Sequence, residues 1–253
     1  MEKNNRVRLW SARPAALCPA QWRGLSDLLD DNERRQAGRF RFAADQRAYV
    51  LAHGLRRLAL AEWLQVPAAS LCFMAAAGGQ PHLLGAWQQP VFFSHSHTRE
   101  AVLVALSADA VLGVDIESTR GPAMDAALLD SFIVPPEEAG ADFYFYWTAL
   151  EAYWKAAGTG LSAGQPRLHL ARNAAGHWLA APGPSITCTE TTARTGTTPQ
   201  PMQIVPLGAP PDCRASLALG TPRGRQPQAA CSAGWLMEER DFVRDGEALA
   251  GLA

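Results

Sequence analysis

Residues 91–94 and 101–106 are two short apolar runs separated only by the polar stretch 95–100. Parallel strands need a crossover of about a dozen residues or more, so a connection this short allows only an antiparallel hairpin. A third run, 111–117, alternates and also reads as a strand. Around these strands lie separated helical patterns. Residues 25–39 are rich in acidic and basic side chains and read as a surface helix, with Ser26 as the N-cap. Residues 45–64 place Leu51, Leu55 and Leu58 at i, i+4 and i+7, with Arg47 and Arg56 off that stripe and Pro67 as the stop. Residues 125–132 and 142–157 are helical, and Gly158 closes the second, strongly aromatic one. Gly78-Gly79-Gln80-Pro81 is a turn, 187–201 is a Thr-rich connection and 214–219 alternates as a late strand. Separated helices with hairpin-type strands specify an α+β fold rather than a doubly wound parallel sheet. The tail 221–253 carries no readable pattern.

Of the 253 residues, 48% are apolar and 19% charged, enough for a buried core and against wholesale disorder. The net charge of −1 argues against a general affinity for nucleic acid or an anionic membrane, so any basic site is local. The polar start and the short apolar runs predict neither a signal peptide nor a membrane span, hence a cytoplasmic protein. The five cysteines form no C-x-x-C pair and read as reduced thiols, mostly core filler.

Three segments carry chemistry. In Gly113-Val114-Asp115-Ile116-Glu117, residues i and i+2 of a strand share a face, so Asp115 and Glu117 project together while Val114 and Ile116 enter the core. Two carboxylates on one face repel unless a cation or base lies between them. Magnesium suits such a site, taking one or two carboxylates plus water and phosphate oxygens. The plainer reading is an edge strand with a solvated polar face. Glu151 and Lys155 stand at i and i+4 of the aromatic helix. On a surface this is an ordinary ion pair of ~0.3–0.5 kcal/mol. Among Phe143, Tyr144, Phe145, Tyr146, Trp147, Tyr153 and Trp154 it belongs at the edge of a cleft. Phe92-Phe93-Ser94-His95-Ser96-His97 brings hydroxyls and imidazoles out of an apolar strand, where they could contact phosphate. His95 and His97 lack the further ligands a zinc site needs, and the plain alternative is a polar turn. Neither a phosphate-binding P-loop nor H-E-x-x-H occurs.

The order of these segments resembles one family. G-x-P-x-L from Gly79 to Leu83, F-x-S-H-S ending at Ser96, G-V-D-I-E, and W-T-x-x-E-A-Y-x-K-x-x-G-x-G-L from Trp147 to Leu161 resemble the Sfp-type 4′-phosphopantetheinyl transferases. Arg39-Phe40-Arg41-Phe42, Asp45, Arg47 and the leucine helix also look like that family's N-terminal half, and the likeness covers roughly residues 25–165. The resemblance implies transfer of the phosphopantetheine arm of coenzyme A to a serine of an apo acyl or peptidyl carrier protein, with magnesium and release of 3′,5′-ADP. It implies a pseudo-twofold pair of similar α+β halves, residues 1–112 and 113–253, with the active site in the cleft between them. By motif, Asp115, Glu117 and Glu151 would hold the metal, and Glu151 would be the base. Asp115, Glu151 and Lys155 would contact the cofactor, joined by Ser94, His95, Gln80, Arg35 and Arg47 from the other half. Members of this length look monomeric and serve secondary metabolism. Three positions depart from the family in losing positive charge: Leu150, Gln80 and Gln36. They motivate an alternative, a degenerate member that binds coenzyme A or carrier protein without transfer. Arg120 and Arg167 are candidate bases for the carrier surface.

Overall fold

Every residue of the strand β5 (Val102–Ser107) is buried, which requires cover on both faces of its sheet. The computed structural model describes residues 6–75, 81–87, 90–121, 129–134, 142–162, 164–183, 200–222 and 236–242. β5 lies between β1 (Arg6–Ala12) and β4 (Phe92–His97), antiparallel to both, and β12 (Leu236–Asp241) pairs parallel with the far edge of β1. A second sheet has the order β6 (Val111–Ser118), β11 (Cys213–Gly220), β10 (Met202–Leu207), β9 (Trp178–Pro182), β8 (Leu168–Arg172), β7 (Ile133–Val134). β2 (Cys72–Ala75) and β3 (Pro81–Leu84) form a separate antiparallel pair.

Strand alternation sorts side chains into three cores. Val102, Val104 and Leu106 of β5, with Trp10 of β1, meet Leu25 of α1 (Pro19–Leu28) and Leu51, Leu55 and Leu60 of α3 (Ala43–Leu64). The opposite β5 residues Leu103 and Ala105, with Val7 and Leu9, pack on Leu112, Val114, Ile116, Leu217 and Leu219 of the second sheet. The outer face of that sheet is covered by α4 (Phe143–Ala157), whose Leu150, Tyr153 and Trp154 meet Ile133, Leu168, Leu170 and Ile204. The layers therefore run helix, sheet, sheet, helix. Mixed helices and largely antiparallel sheets bear out the α+β reading.

The local differences have physical causes. The segment 25–39 is two helices, α1 and α2 (Asp31–Ala37), because Asp30 caps better than Ser26. The Asp30 carboxylate accepts the N–H groups of Asn32 and Glu33, both at 2.9 Å, and Glu33 returns to the Asp30 N–H, a full capping box. Ser26 lies inside α1 and donates to the Trp22 carbonyl. α3 ends at Gln65, in the left-handed region with φ 56°, before Pro67 is reached. β4 continues through His97, so the polar residues 95–97 are strand and the turn starts at Thr98, whose hydroxyl accepts the Glu100 and Ala101 N–H groups. Gly158 ends α4 at φ 78°, as expected from sequence, while Asp142, expected inside the helix, is its N-cap. β1 and β12 were unread in the sequence. Cys213 is buried, but Cys18 and Cys72 are exposed and fill no core. The turn residues 78–80, the first half of the helix expected at 125–132 and most of the Thr-rich stretch lie outside the described residues. No helix among the described residues is long and apolar enough to cross a membrane.

Candidate active site

β4 and β6 are the edge strands of their sheets, and they face each other. The even residues of β4 point at β6. Ser94 is buried and its hydroxyl oxygen accepts the Val114 N–H at 3.1 Å, while the Ser96 hydroxyl donates to Asp115 Oδ1 at 2.9 Å. On β6, Val114 and Ile116 enter the core between the sheets, and Gly113, Asp115 and Glu117 share the opposite face, under α4.

Gly113 sets the height of that helix. A Cβ built there would overlap the Ala152 carbonyl oxygen and stand 2.5 Å from the Ala156 nitrogen and 2.9 Å from Lys155 Cβ. Such a close approach of backbone to strand is open only to glycine. Further along, Thr148 of α4 hydrogen-bonds Ser216 of β11 at 2.8 Å, both side chains wholly buried. Ser216 is the cross-strand partner of Asp115. Helix and sheet thus hold Lys155 Nζ 2.5 Å from Asp115 Oδ1 and 3.2 Å from Ser96 Oγ.

Glu151 and Glu117 are half-buried beside this pair. Burial, reinforced by the Asp115 charge, pushes both carboxyls above the ordinary glutamate range. The Trp147 indole N–H donates to Glu117 Oε1 at 3.3 Å and pulls the other way. Asp115 Oδ2 is buried with no hydrogen-bond partner among the described residues. An orphaned carboxylate oxygen beside two strained carboxyls is donor chemistry that suits a hard divalent cation. Among the described residues, no three His, Cys, Asp or Glu side chains stand close enough to share an ion. The cation that Asp115 holds here is the Lys155 ammonium.

The odd residues of β4 face α3 instead. His95 stands edge-on to His53 with centroids 5.3 Å apart, and His53 stacks on Tyr49 at 3.9 Å. Below them Glu33 receives Arg56 at 2.5 Å, Arg57 at 2.8 Å and His53 at 3.1 Å. Burial alone would raise the Glu33 carboxyl. The hydrogen bonds from His53 and the Asp30 N–H and the two arginine charges outweigh it and hold the pKa at about 2. Burial drives His95 well below the usual histidine range and brings His97 to about 4, so both are neutral near pH 7. A cavity of about 360 Å³ is lined by Glu33, His53, Arg56, Phe73, Met74 and His95, among others. Arg56 lies over Phe73 at 4.1 Å, with its Nε unpartnered among the described residues.

The sequence-predicted residues separate into groups. Asp115, Glu117, Glu151 and Lys155 come together. Ser94 and His95 point to opposite faces of β4, and Ser94 is taken up by Val114. Arg35 is turned toward Asp31 and Asn32. Arg47 lines a different cavity, of about 540 Å³, with Trp22, Leu29 and Val50. Gln80 lies outside the described residues. Arg167 donates to the Ile133 carbonyl and Arg120 pairs with Asp212. Leu150 is wholly buried in the α4 core. Sequence reasoning missed Ser96, Ser216 and the Glu33–His53–Arg56 group. Only the capping pattern Asp30-x-x-Glu33 was there to flag the last.

Residues 14–109 match a family model described as 4′-phosphopantetheinyl transferase, N-terminal. The chain is 28% identical over 170 residues to the 4′-phosphopantetheinyl transferase HetI of a Nostoc species, covering 63% of this chain and 71% of the relative. It is 30% identical over 151 residues to the 4′-phosphopantetheinyl transferase psf-1 of Bacillus pumilus, covering 55% and 62%. The L-aminoadipate-semialdehyde dehydrogenase-phosphopantetheinyl transferase of Xenopus laevis is 27% identical over 173 residues, covering 60% and 57%. The last two matches thus span less than two thirds of the relatives' own length. Over the matched residues the chain is thus similar to 4′-phosphopantetheinyl transferases, and three of the four ordered motifs meet on one seam.

Proposed function

We propose that this chain moves the 4′-phosphopantetheine arm of coenzyme A onto a serine hydroxyl of an apo acyl or peptidyl carrier protein, releasing 3′,5′-ADP. We place it in the cytoplasm as a monomer. The observation that carries the reading is the Lys155 ammonium held between Asp115 and Ser96 at the β4–β6 seam, with the half-buried Glu117 and Glu151 near enough to feel the Asp115 charge. In the reaction the serine oxygen bonds to the phosphorus nearer the pantetheine, and the bond from that phosphorus to the 3′,5′-ADP oxygen breaks. Glu151 takes the serine proton, directly or through one water. Its raised pKa, from burial and the Asp115 charge, makes it a stronger base than an ordinary glutamate. Lys155 and the Ser96 hydroxyl, already aimed at one point, address the pyrophosphate oxygens. Magnesium would find its first ligand in the unpartnered Asp115 Oδ2, and Glu117 and Glu151 would have to draw in to share it; when bound it would supply neutralisation of the pyrophosphate charge.

The nucleotide end of coenzyme A belongs in the cavity beside His95. His53, His95 and Arg56 line it, and the Arg56 Nε offers a donor to an anion. Arg56 there takes the part expected of Arg35 or Arg47. Leu150 sits in the core, so the missing lysine at that position removes no charge from the seam. That weighs against the non-transferring alternative. The test is intact mass spectrometry of an apo carrier domain incubated with this protein, coenzyme A and magnesium. The reading requires a gain of one phosphopantetheine arm, lost when magnesium is chelated and lost in Glu151→Gln. No gain on acyl or peptidyl carriers refutes it.

A further inference from the structure

Phe42 breaks two rules at once. It is the N-cap of α3, a position favoured by Ser, Thr, Asp or Asn, and it makes no capping bond there. It is also 53% exposed, a large apolar ring left in water. A residue that satisfies neither the helix nor the core is a mark of a functional surface. Its neighbours say what kind. The Arg41 guanidinium lies 5.3 Å from the ring centroid and that of Arg99 lies 5.4 Å from it. Arg99 is clamped by Asp45 through two bonds, one of 2.8 Å from a terminal nitrogen to Oδ2 and one from Nε to Oδ1. The stretch is basic, with Arg39, Arg41, Arg47 and Arg99 against Asp45.

The patch also lies at the right end of the seam. Arg99 follows Ser96 by three residues, at most about 10 Å of chain, and Ser96 is bonded to Asp115. We propose that Phe42, flanked by Arg41 and Arg99, is the docking anchor for the carrier-protein substrate. The matching partner surface is an apolar side chain ringed by carboxylates, set close to the serine that is modified. This rests on the transferase reading above. A flat exposed ring between two cations suits a folded acidic partner, whereas the nucleotide has its own recessed cavity beside His95. Of the bases suggested by sequence, Arg167 is turned inward to the Ile133 carbonyl, and Arg120 pairs with Asp212 with no exposed ring beside it among the described contacts.

The experiment measures KM separately for an apo acyl carrier protein and for coenzyme A, in wild type, Phe42→Ala and Arg41→Glu. Phe42 is exposed, so its truncation leaves the melting temperature in place. The expected result is a rise in carrier KM of about tenfold or more, as for an interface aromatic, with kcat and the coenzyme A KM unchanged. Arg41→Glu raises the carrier KM further and flattens its salt dependence. An unchanged carrier KM overturns the docking site while leaving the transferase reading intact. A raised coenzyme A KM in its place assigns the patch to the nucleotide and also overturns it. A wild-type protein that modifies no carrier overturns both.

Discussion

Gly113→Ala tests how the site is assembled. The added methyl would overlap the Ala152 carbonyl and stand 2.5 Å from the Ala156 nitrogen. Ordinary contact needs about 3.5 Å, so α4 must lift off β6 by about 1 Å. Overpacking of this kind costs ~1–3 kcal/mol. For a chain of this size each kcal/mol lowers Tm by roughly 2–4 °C. The rate effect is larger. Lys155 stands 2.5 Å from Asp115, and a lift of about 1 Å takes that contact out of hydrogen-bond range. Misplacement by about 1 Å costs on the order of 10²-fold in rate. The assay pairs scanning calorimetry with kcat for carrier modification, measured well below Tm so that unfolding does not contribute. Gly24→Ala is the control, since nothing lies within 4 Å of a Cβ in that exposed part of α1. It leaves kcat unchanged and raises stability slightly, because alanine is the better helix former. Wild-type Tm and kcat in Gly113→Ala would refute the idea that the helix is seated on this glycine.

Glu151→Gln keeps the fold and removes the base, so carrier modification falls by 10²-fold or more, a range set by general-base catalysis, while circular dichroism is unchanged. Acid unfolding has two stages with a worked sign. His53, His95 and His97 are half-buried with depressed pKa values, so the unfolded chain binds their protons first and stability falls as pH drops below about 6.5, the ordinary histidine value. Glu33 then adds a loss as pH falls from its unfolded value of 4.5 toward about 2, on the order of 3 kcal/mol in total; urea midpoints across pH 3–7 in wild type and His97→Gln read both stages, and a flat profile contradicts them. Phe242→Ala opens the core under β12 and costs ~3–5 kcal/mol, checked by urea denaturation, since the residue is 4% exposed.

What could be read from sequence was what is local. The β6 alternation separates Val114 and Ile116 from Asp115 and Glu117 by period alone, and the aromatic run with Asp142 and Gly158 at its ends marks α4. The capping box of Asp30 and Glu33 was also local, but the N-cap was read at Ser26 and the box was overlooked. Pairings between distant segments left no trace. β12 joins β1 across almost the whole chain, through Arg8 and Glu238 at 2.9 Å, and neither strand has a partner nearby to announce it. Arg56 and Arg57 fall among charged residues that a helical wheel puts in water. Both are buried because Glu33 and Asp30 arrive from α2 to meet them. Ser96 was visible in its motif, but its bond to Asp115 depends on two sheets meeting edge to edge.

That meeting explains why the chemistry sits where it does. An edge strand presents unpaired N–H and C=O groups, a liability that folds usually cover or charge. Here two edges cover each other without continuing the ladder. The Val114 N–H is satisfied by the Ser94 hydroxyl instead of a strand carbonyl, so β4 and β6 are held close but not zipped. The contacts between them are made by side chains rather than by backbone pairing. Ser96, Asp115 and Lys155 meet there with one carboxylate oxygen left over. The buried carboxylates are tolerable because Lys155 already balances Asp115. By the same argument, Lys155→Met should lower Tm more than a surface lysine substitution would, by leaving Asp115 buried beside Glu117 and Glu151 without its counter-charge. Added magnesium should restore part of that loss. Full stability of Lys155→Met without magnesium would mean that the carboxylates do not repel as their raised pKa values imply.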